Sequence, residues 1–206
     1  MTATTQPETT PGSGHDSGSG SSSPTRDIAL VAAFAALICA SAYIGAIPVG
    51  SAGVPITLQT LTVMLAGCIL GPLRGFAAVT LYLALGAVGL PVFAEHSSGI
   101  GVFTGPSGGY LIAFPFAAAL GGYLVKYVAR ERRTRALVVF ACSITASILV
   151  IHPLGILGMM LYFDVSFPQA LTWDMPFWLG DLVKTSLVAM IAAEVHRAFP
   201  QLLQLD

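Results

Sequence analysis

The stretch Phe177 to Ala193, FWLGDLVKTSLVAMIAA, decides what kind of chain this is. It is apolar over nearly a bilayer's depth, about 1.5 Å per helical residue, yet it holds Asp181 and Lys184. Charges in such a segment cost about 2.5–3.5 kcal/mol each on insertion scales, so they are usually paired and functional. Positions i and i+3 share a helix face, which puts Asp181 and Lys184 side by side.

The other basic residues give the frame around that segment. Split at its long apolar runs, the chain shows six spans of membrane length. They run from Ile28 to about Ile47, Val54 to Leu70, Gly75 to Leu90, Gly108 to Val125, Ala136 to Tyr162 and Phe177 to Ala193. Eight of the nine Lys and Arg residues fall in alternate connections: Arg26, Arg74, Lys126, Arg130, Arg132, Arg133, Arg135 and Arg197. Lys184 is the ninth. The positive-inside rule makes those connections cytoplasmic and puts both termini in the cytoplasm. The outer connections are then 48 to 53, 91 to 107 and 163 to 176.

Composition agrees with that class. Hydrophobic residues make up 55% and charged residues 9% of the chain, against about 25% charged in soluble domains. The expected fold is an all-α membrane protein with six transmembrane helices, multi-pass in the cell membrane. Residues 26 to 199 form the membrane domain and 200 to 206 a short C-terminal tail. Residues 1 to 25 are rich in Ser, Gly, Thr and Pro and cannot bury enough surface to order themselves, so they are expected as a disordered cytoplasmic tail. They lack the basic start and short apolar run of a signal peptide. The three cysteines lie in apolar segments without metal-ligand spacing, which reads as buried packing and no metal site.

Several polar groups share the outer depth of Asp181 and Lys184. Gln59, among Thr57, Thr60 and Thr62, fits either a ligand contact or a hydrogen bond between helices. Tyr82, in mid-span, fits either a ligand contact or aromatic packing. The segment Gly105, Pro106, Ser107, Gly108, Gly109, Tyr110 opens the fourth span, and its glycines let backbone N–H groups approach a ligand. Glu95 and His96 lie in the long Gly-rich outer loop, a place where lids and binding loops concentrate. His152 beside Pro153 fits a functional intramembrane group and a core histidine at a kink equally well. Asp181 with Lys184 fits a structural ion pair as well, but the matching polar groups at the same depth favour a ligand site open to the outside. In the first span, Ala29, Ala32, Ala33 and Ala36 make a small-residue face suited to close helix contact, inside the molecule or with another membrane protein.

No Walker loop, acidic metal cluster or catalytic constellation is present, so an enzyme is not expected, nor a nucleic-acid partner. A chain of this kind that moves a solute uphill draws its energy from a partner or from an ion gradient. An autonomous ion-coupled transporter is the alternative to a partnered one, but it would favour two pseudo-symmetric halves.

Four blocks carry a resemblance. VPITLQTLTVMLAGCILGPLRG (54–75), LYLALGAVGLPVFA (81–94), GPSGGYLIAF (105–114) and PFWLGDLVK (176–184) resemble, in order and spacing, the BioY family of biotin-specific substrate-binding subunits of energy-coupling factor (ECF) transporters. The stretch HPLGILG (152–158) departs from the aromatic pattern of that family. The resemblance implies an outward-facing biotin pocket that includes Asp181 and Lys184 and is completed by the third- and fourth-span blocks. It implies a transmembrane coupling protein docking on the alanine face, and two cytoplasmic ATPases, so that ATP is used only by partners and the chain needs no cofactor.

The charge asymmetry makes a direct prediction. In a background lacking Cys39, Cys68 and Cys142, a Ser98→Cys variant reacts with an impermeant thiol reagent on intact cells. Labelling only after the membranes are opened would reverse the topology.

Overall fold

The computed structural model describes residues 1–2, 24–44, 46–48 and 52–203. Most of the expected N-terminal tail therefore lies outside the described residues. The described chain is mostly helical: α1 Pro24–Tyr43, α2 Gln59–Leu70, α3 Pro72–Ala87, α4 Gly108–Tyr123, α5 Ala136–Ala146, α6 His152–Phe163 and α7 Phe167–Ala198. A π-helical turn, Leu124–Val128, extends α4, and another, Ser147–Ile151, joins α5 to α6 into one rod. A two-residue ribbon, β1 (Ile47–Pro48) against β2 (Pro55–Ile56), lies between α1 and α2.

Four helical stretches are long and apolar enough to cross a membrane: Pro24–Tyr43, Gly108–Val128, Ala136–Phe163 and Phe167–Ala198. The helices α2 and α3 are shorter, 12 and 16 residues. The expected second span loses its first turn because Val54 precedes Pro55, which disfavours the helical conformation, and the segment is extended there. Gly71 (φ 86°) then turns the chain at once, and Pro72 begins α3 three residues earlier than its spacing suggested. The largest correction is at α7. It begins at Phe167 rather than Phe177, so the expected outer connection 163–176 shrinks to a turn at Asp164 (φ 51°). Pro168 sits in its first turn, where a missing N–H costs nothing. Likewise α1 starts at Pro24, just inside the segment assigned to the tail, and Leu202 and Leu203 of the C-terminal segment are buried.

The core is built on α2 and α4, which pack against each other, with α1, α3, α5, α6 and α7 around them. Both are buried along most of their length. Their contact is close because Gly67 has no side chain: a Cβ there would stand 2.1 Å from the carbonyl oxygen of Ala118. Gly75 of α3 also approaches the Gly67 backbone, and a Cβ on it would stand 2.7 Å from the Gly67 Cα. Three helices thus meet at one point without side chains between them. Outward faces stay apolar, as with Leu161 and Leu179, 78% and 72% exposed, which suits a lipid solvent rather than water.

Basic residues gather at the α2–α3 turn, the α4–α5 connection and the end of α7. Arg74, 5% exposed, pairs with Asp27 of α1 at 3.4 Å and donates to the Leu202 carbonyl at 2.9 Å. Arg133 and Arg197 donate to the carbonyls of Pro200 and Thr134. The C-terminal segment is thus stitched onto the α2–α3 turn and the α4–α5 connection.

A Gly67→Ala substitution forces α2 and α4 apart and destabilises the fold by about 1–3 kcal/mol or more. Gly101→Ala, where a Cβ meets nothing within 4 Å, leaves the melting temperature unchanged. Thermal unfolding of the two purified variants makes the comparison.

Candidate functional site

Opposite the basic end, a cavity of about 270 Å³ opens between the ribbon, α2, α4, α7 and the 91–107 loop, near the lower end of ligand pockets (about 300–1,000 Å³). Its apolar lining is made by Val54, Phe93, Val102, Leu111, Phe114 and Phe177. Its polar lining is made by Thr57, Gln59, Thr60, Glu95, Ser107, Tyr110 and Lys184. Lys184 is the one Lys or Arg on this lining among the described residues.

The α7 pair is closed. Lys184 Nζ lies 2.6 Å from Asp181 Oδ1, and both side chains are buried. Lys184 also donates to Thr60 Oγ1 at 2.5 Å and to the Thr57 carbonyl at 3.4 Å, so the ammonium is drawn from α7 toward the start of α2. Asp181 accepts from Thr60 Oγ1 at 3.3 Å and from Ser147 Oγ at 3.2 Å. A buried pair without these extra partners would leave ammonium protons and carboxylate lone pairs unsatisfied. Asp181 stands behind Lys184 rather than on the cavity wall.

Gln59 has a similar support. Its amide nitrogen donates to Tyr82 Oη, and its carbonyl accepts from Thr57 Oγ1 at 2.9 Å. Tyr82 is fully buried and lies off the cavity wall, so its place is behind Gln59. It also meets the Phe93 ring edge to face at 5.5 Å. Phe93 in turn covers Gly86, whose Cβ would overlap the ring at 2.2 Å, and this pins the 91–107 loop onto α3. Beyond that pin, Glu95 and His96 both have positive φ (56° and 60°), an uncommon conformation for side-chain-bearing residues that clusters near functional loops. The His96 ring stands edge-on to Tyr43 at 4.4 Å, tying the loop tip to α1.

Gly105, Ser107 and Tyr110 reach the cavity. Gly108 does not: a Cβ there would stand 2.0 Å from the Phe103 carbonyl oxygen, so this glycine serves the tight loop-to-helix passage. On α1, Ala29, Ala32, Ala33 and Ala36 are all exposed, on the face opposite the buried Ala35, Ile38 and Ala42.

Sequence reasoning missed Asp174. It is fully buried and accepts from Tyr110 Oη at 2.6 Å and Trp178 Nε1 at 2.6 Å, and it contacts His152 Nδ1 at 2.8 Å. With α7 read from Phe177, Asp174 fell in a loop. The signal was its spacing: Asp174, Trp178, Asp181 and Thr185 recur at helical intervals on one face. The HPLGILG stretch is explained by the same region. Gly155 leaves room for the Tyr110 ring, and Gly158 lets α6 touch Gly109.

The site makes two matched predictions. Asp181→Asn leaves Lys184 without its counter-charge, and Lys184→Met removes the cation. Each weakens binding of the cavity's ligand at least about tenfold, or ~1.4 kcal/mol, measured by calorimetry on folded protein. Unchanged affinity with a lowered melting temperature in both would make the pair purely structural.

With this geometry in place, comparison with known proteins is informative. The BioY family model matches residues 12–201. A protein of Rhodobacter capsulatus named Biotin transporter BioY is 41% identical over 190 residues, covering 86% of this chain and 97% of that one. A Pyrococcus horikoshii protein named Probable biotin transporter BioY is 38% identical over 175 residues, covering 83% and 96%. Among solved structures, the S-component for biotin from an ECF-type ABC transporter superposes with a TM-score of 0.79 at 28% identity, covering 84% of this chain and 92% of that one.

Proposed function

The chain belongs to the BioY family, and from that premise we propose how its cavity takes up biotin and what it works with. It is a multi-pass membrane protein and a biotin-uptake S component. The observation that carries the site reading is Lys184, held by Asp181 and Thr60 on the lining of a cavity that also presents apolar side chains. Biotin offers matching chemistry: a ureido ring with two N–H donors and a carbonyl, an apolar thiophane ring with its chain, and a carboxylate. The Lys184 ammonium can donate to a carbonyl or carboxylate oxygen. Gln59, Ser107 and Tyr110 can exchange hydrogen bonds with the ureido or carboxylate groups, and Phe93, Phe114 and Phe177 can hold the apolar part. Ligand oxygens that replace part of the Asp181–Lys184–Thr60 pairing return hydrogen bonds to charged groups, about 1.5–3 kcal/mol each. Asp181 and Tyr82 support the polar lining from behind, and Glu95 belongs to it.

In this reading all six helical rods cross the cell membrane, with both termini and the basic end cytoplasmic. The short α2 is buried inside the bundle along most of its length, while α3 keeps an exposed apolar face with Leu73, Phe76 and Leu81 for lipid to cover. The exposed alanine face of α1 docks a transmembrane coupling protein, and two ATPases bound to that protein supply the energy, so the chain itself acts as a binder and not as an enzyme. Small side chains allow close backbone approach, which is a main source of helix association in lipid.

The purified chain alone binds biotin in calorimetry and discriminates against other small vitamins; no heat of binding from folded protein refutes the biotin reading. Ala33→Trp or Ala36→Trp leaves that affinity unchanged and abolishes uptake in cells. Full uptake with both bulky variants shows that α1 is not the docking face.

A further inference from the structure

We propose that His152 and Asp174 are positioning residues for the ligand wall. Asp174 holds Tyr110, and His152 holds Asp181 and, through it, Lys184. This rests on reading the cavity as the biotin site, and it concerns residues that do not reach the cavity themselves.

The connection is continuous. Tyr110 Oη donates to Asp174 Oδ1 at 2.6 Å. Asp174 Oδ2 lies 2.8 Å from His152 Nδ1. On the other edge of the same ring, Nε2 faces Asp181 Oδ2 at 3.5 Å. Asp181 then meets Lys184 at 2.6 Å. Both ends of this chain of contacts, Tyr110 and Lys184, are cavity wall, and everything between them is buried.

The ring is held in one orientation. Trp178 stacks on it, centroids 4.6 Å apart and planes 30° off parallel, while its own N–H is committed to Asp174. The π-helical turn Ser147–Ile151 ends immediately before His152, and such turns are frequent at functional sites. The same turn supplies Ser147, which donates to Asp181 Oδ2. Carboxylates only accept, so each edge of the ring faces an acceptor, Asp174 on one side and Asp181 on the other. Helix pinning alone does not call for this arrangement, since apolar packing does it without desolvating two carboxylates.

Two amide substitutions separate the two halves of the ring's work. The longer side chain of His152→Gln carries its amide toward the Asp181 side, and the shorter one of His152→Asn reaches only toward Asp174. Using the purified full chain, biotin affinity and melting temperature are measured for His152→Ala, His152→Gln and His152→Asn, each also in an Asp181→Asn background. Positioning through Asp181 predicts that His152→Ala weakens biotin binding by about tenfold, that His152→Gln restores most of it and that His152→Asn restores melting temperature without affinity. It also predicts that the affinity effect of His152→Ala shrinks to within about twofold once Asp181→Asn is present, the signature of coupled residues. Should the Ala variant fail to fold, the Gln and Asn variants carry the same discrimination. Unchanged affinity in His152→Ala, equal rescue by Gln and Asn, or an undiminished effect in the Asp181→Asn background overturns the proposal while the biotin reading stands. A wild-type chain that does not bind biotin takes both down together.

Discussion

Burying Lys184 in a membrane-spanning helix imposes the constraint around which this bundle is arranged. An ammonium at that depth needs a counter-charge and hydrogen-bond acceptors, and α7 by itself supplies only Asp181. The remaining partners come from other elements: Thr60 from the first turn of α2, the Thr57 carbonyl from the segment just before it, and Ser147 for Asp181 from the π-turn ahead of α6. Satisfying one charged pair therefore draws three helices toward a common point. That point is the polar wall of the cavity, so the requirement that makes the charges tolerable also fixes where a ligand can meet them.

Close helix packing and an open cavity are complementary parts of this architecture. At the level of Gly67, α2, α3 and α4 approach so nearly that a methyl group has no place. Toward the other end, the space beside α2 and α4 is bounded by the ribbon and by a loop anchored through Phe93 on Gly86. The loop is held by aromatic edge contacts among Tyr82, Phe93 and Phe103 and strained at Glu95 and His96, close to the cavity mouth. A closely packed base with a differently built mouth suits a protein that must hold a small solute.

The two outward faces of α1 and α7 show how one solvent serves two purposes. Leu179, Val183 and Met190 of α7 are exposed large side chains of the kind that lipid tails cover. The exposed residues of α1 include a run of alanines, which offer little area to lipid but permit another helix to come close. Both faces are apolar, and the difference between them lies in side-chain size.

The sequence by itself determined the membrane class and the pairing of Asp181 with Lys184, because hydropathy and i,i+3 spacing are local properties. It also marked Gln59, Ser107 and Tyr110, which stand on the cavity wall, and the alanine face of α1, which is exposed. Only the tertiary structure decided that Tyr82 and Asp181 stand behind that wall, and that Gly108 serves backbone packing. It likewise revealed that α7 reaches back to Phe167 and carries Asp174 into the core. The reason is physical. Whether a polar side chain lines a cavity or supports one that does depends on which helices meet at its depth. Those meetings are set by glycine contacts and by hydrogen bonds between segments far apart in the chain, such as Thr60 with Asp181 and Lys184.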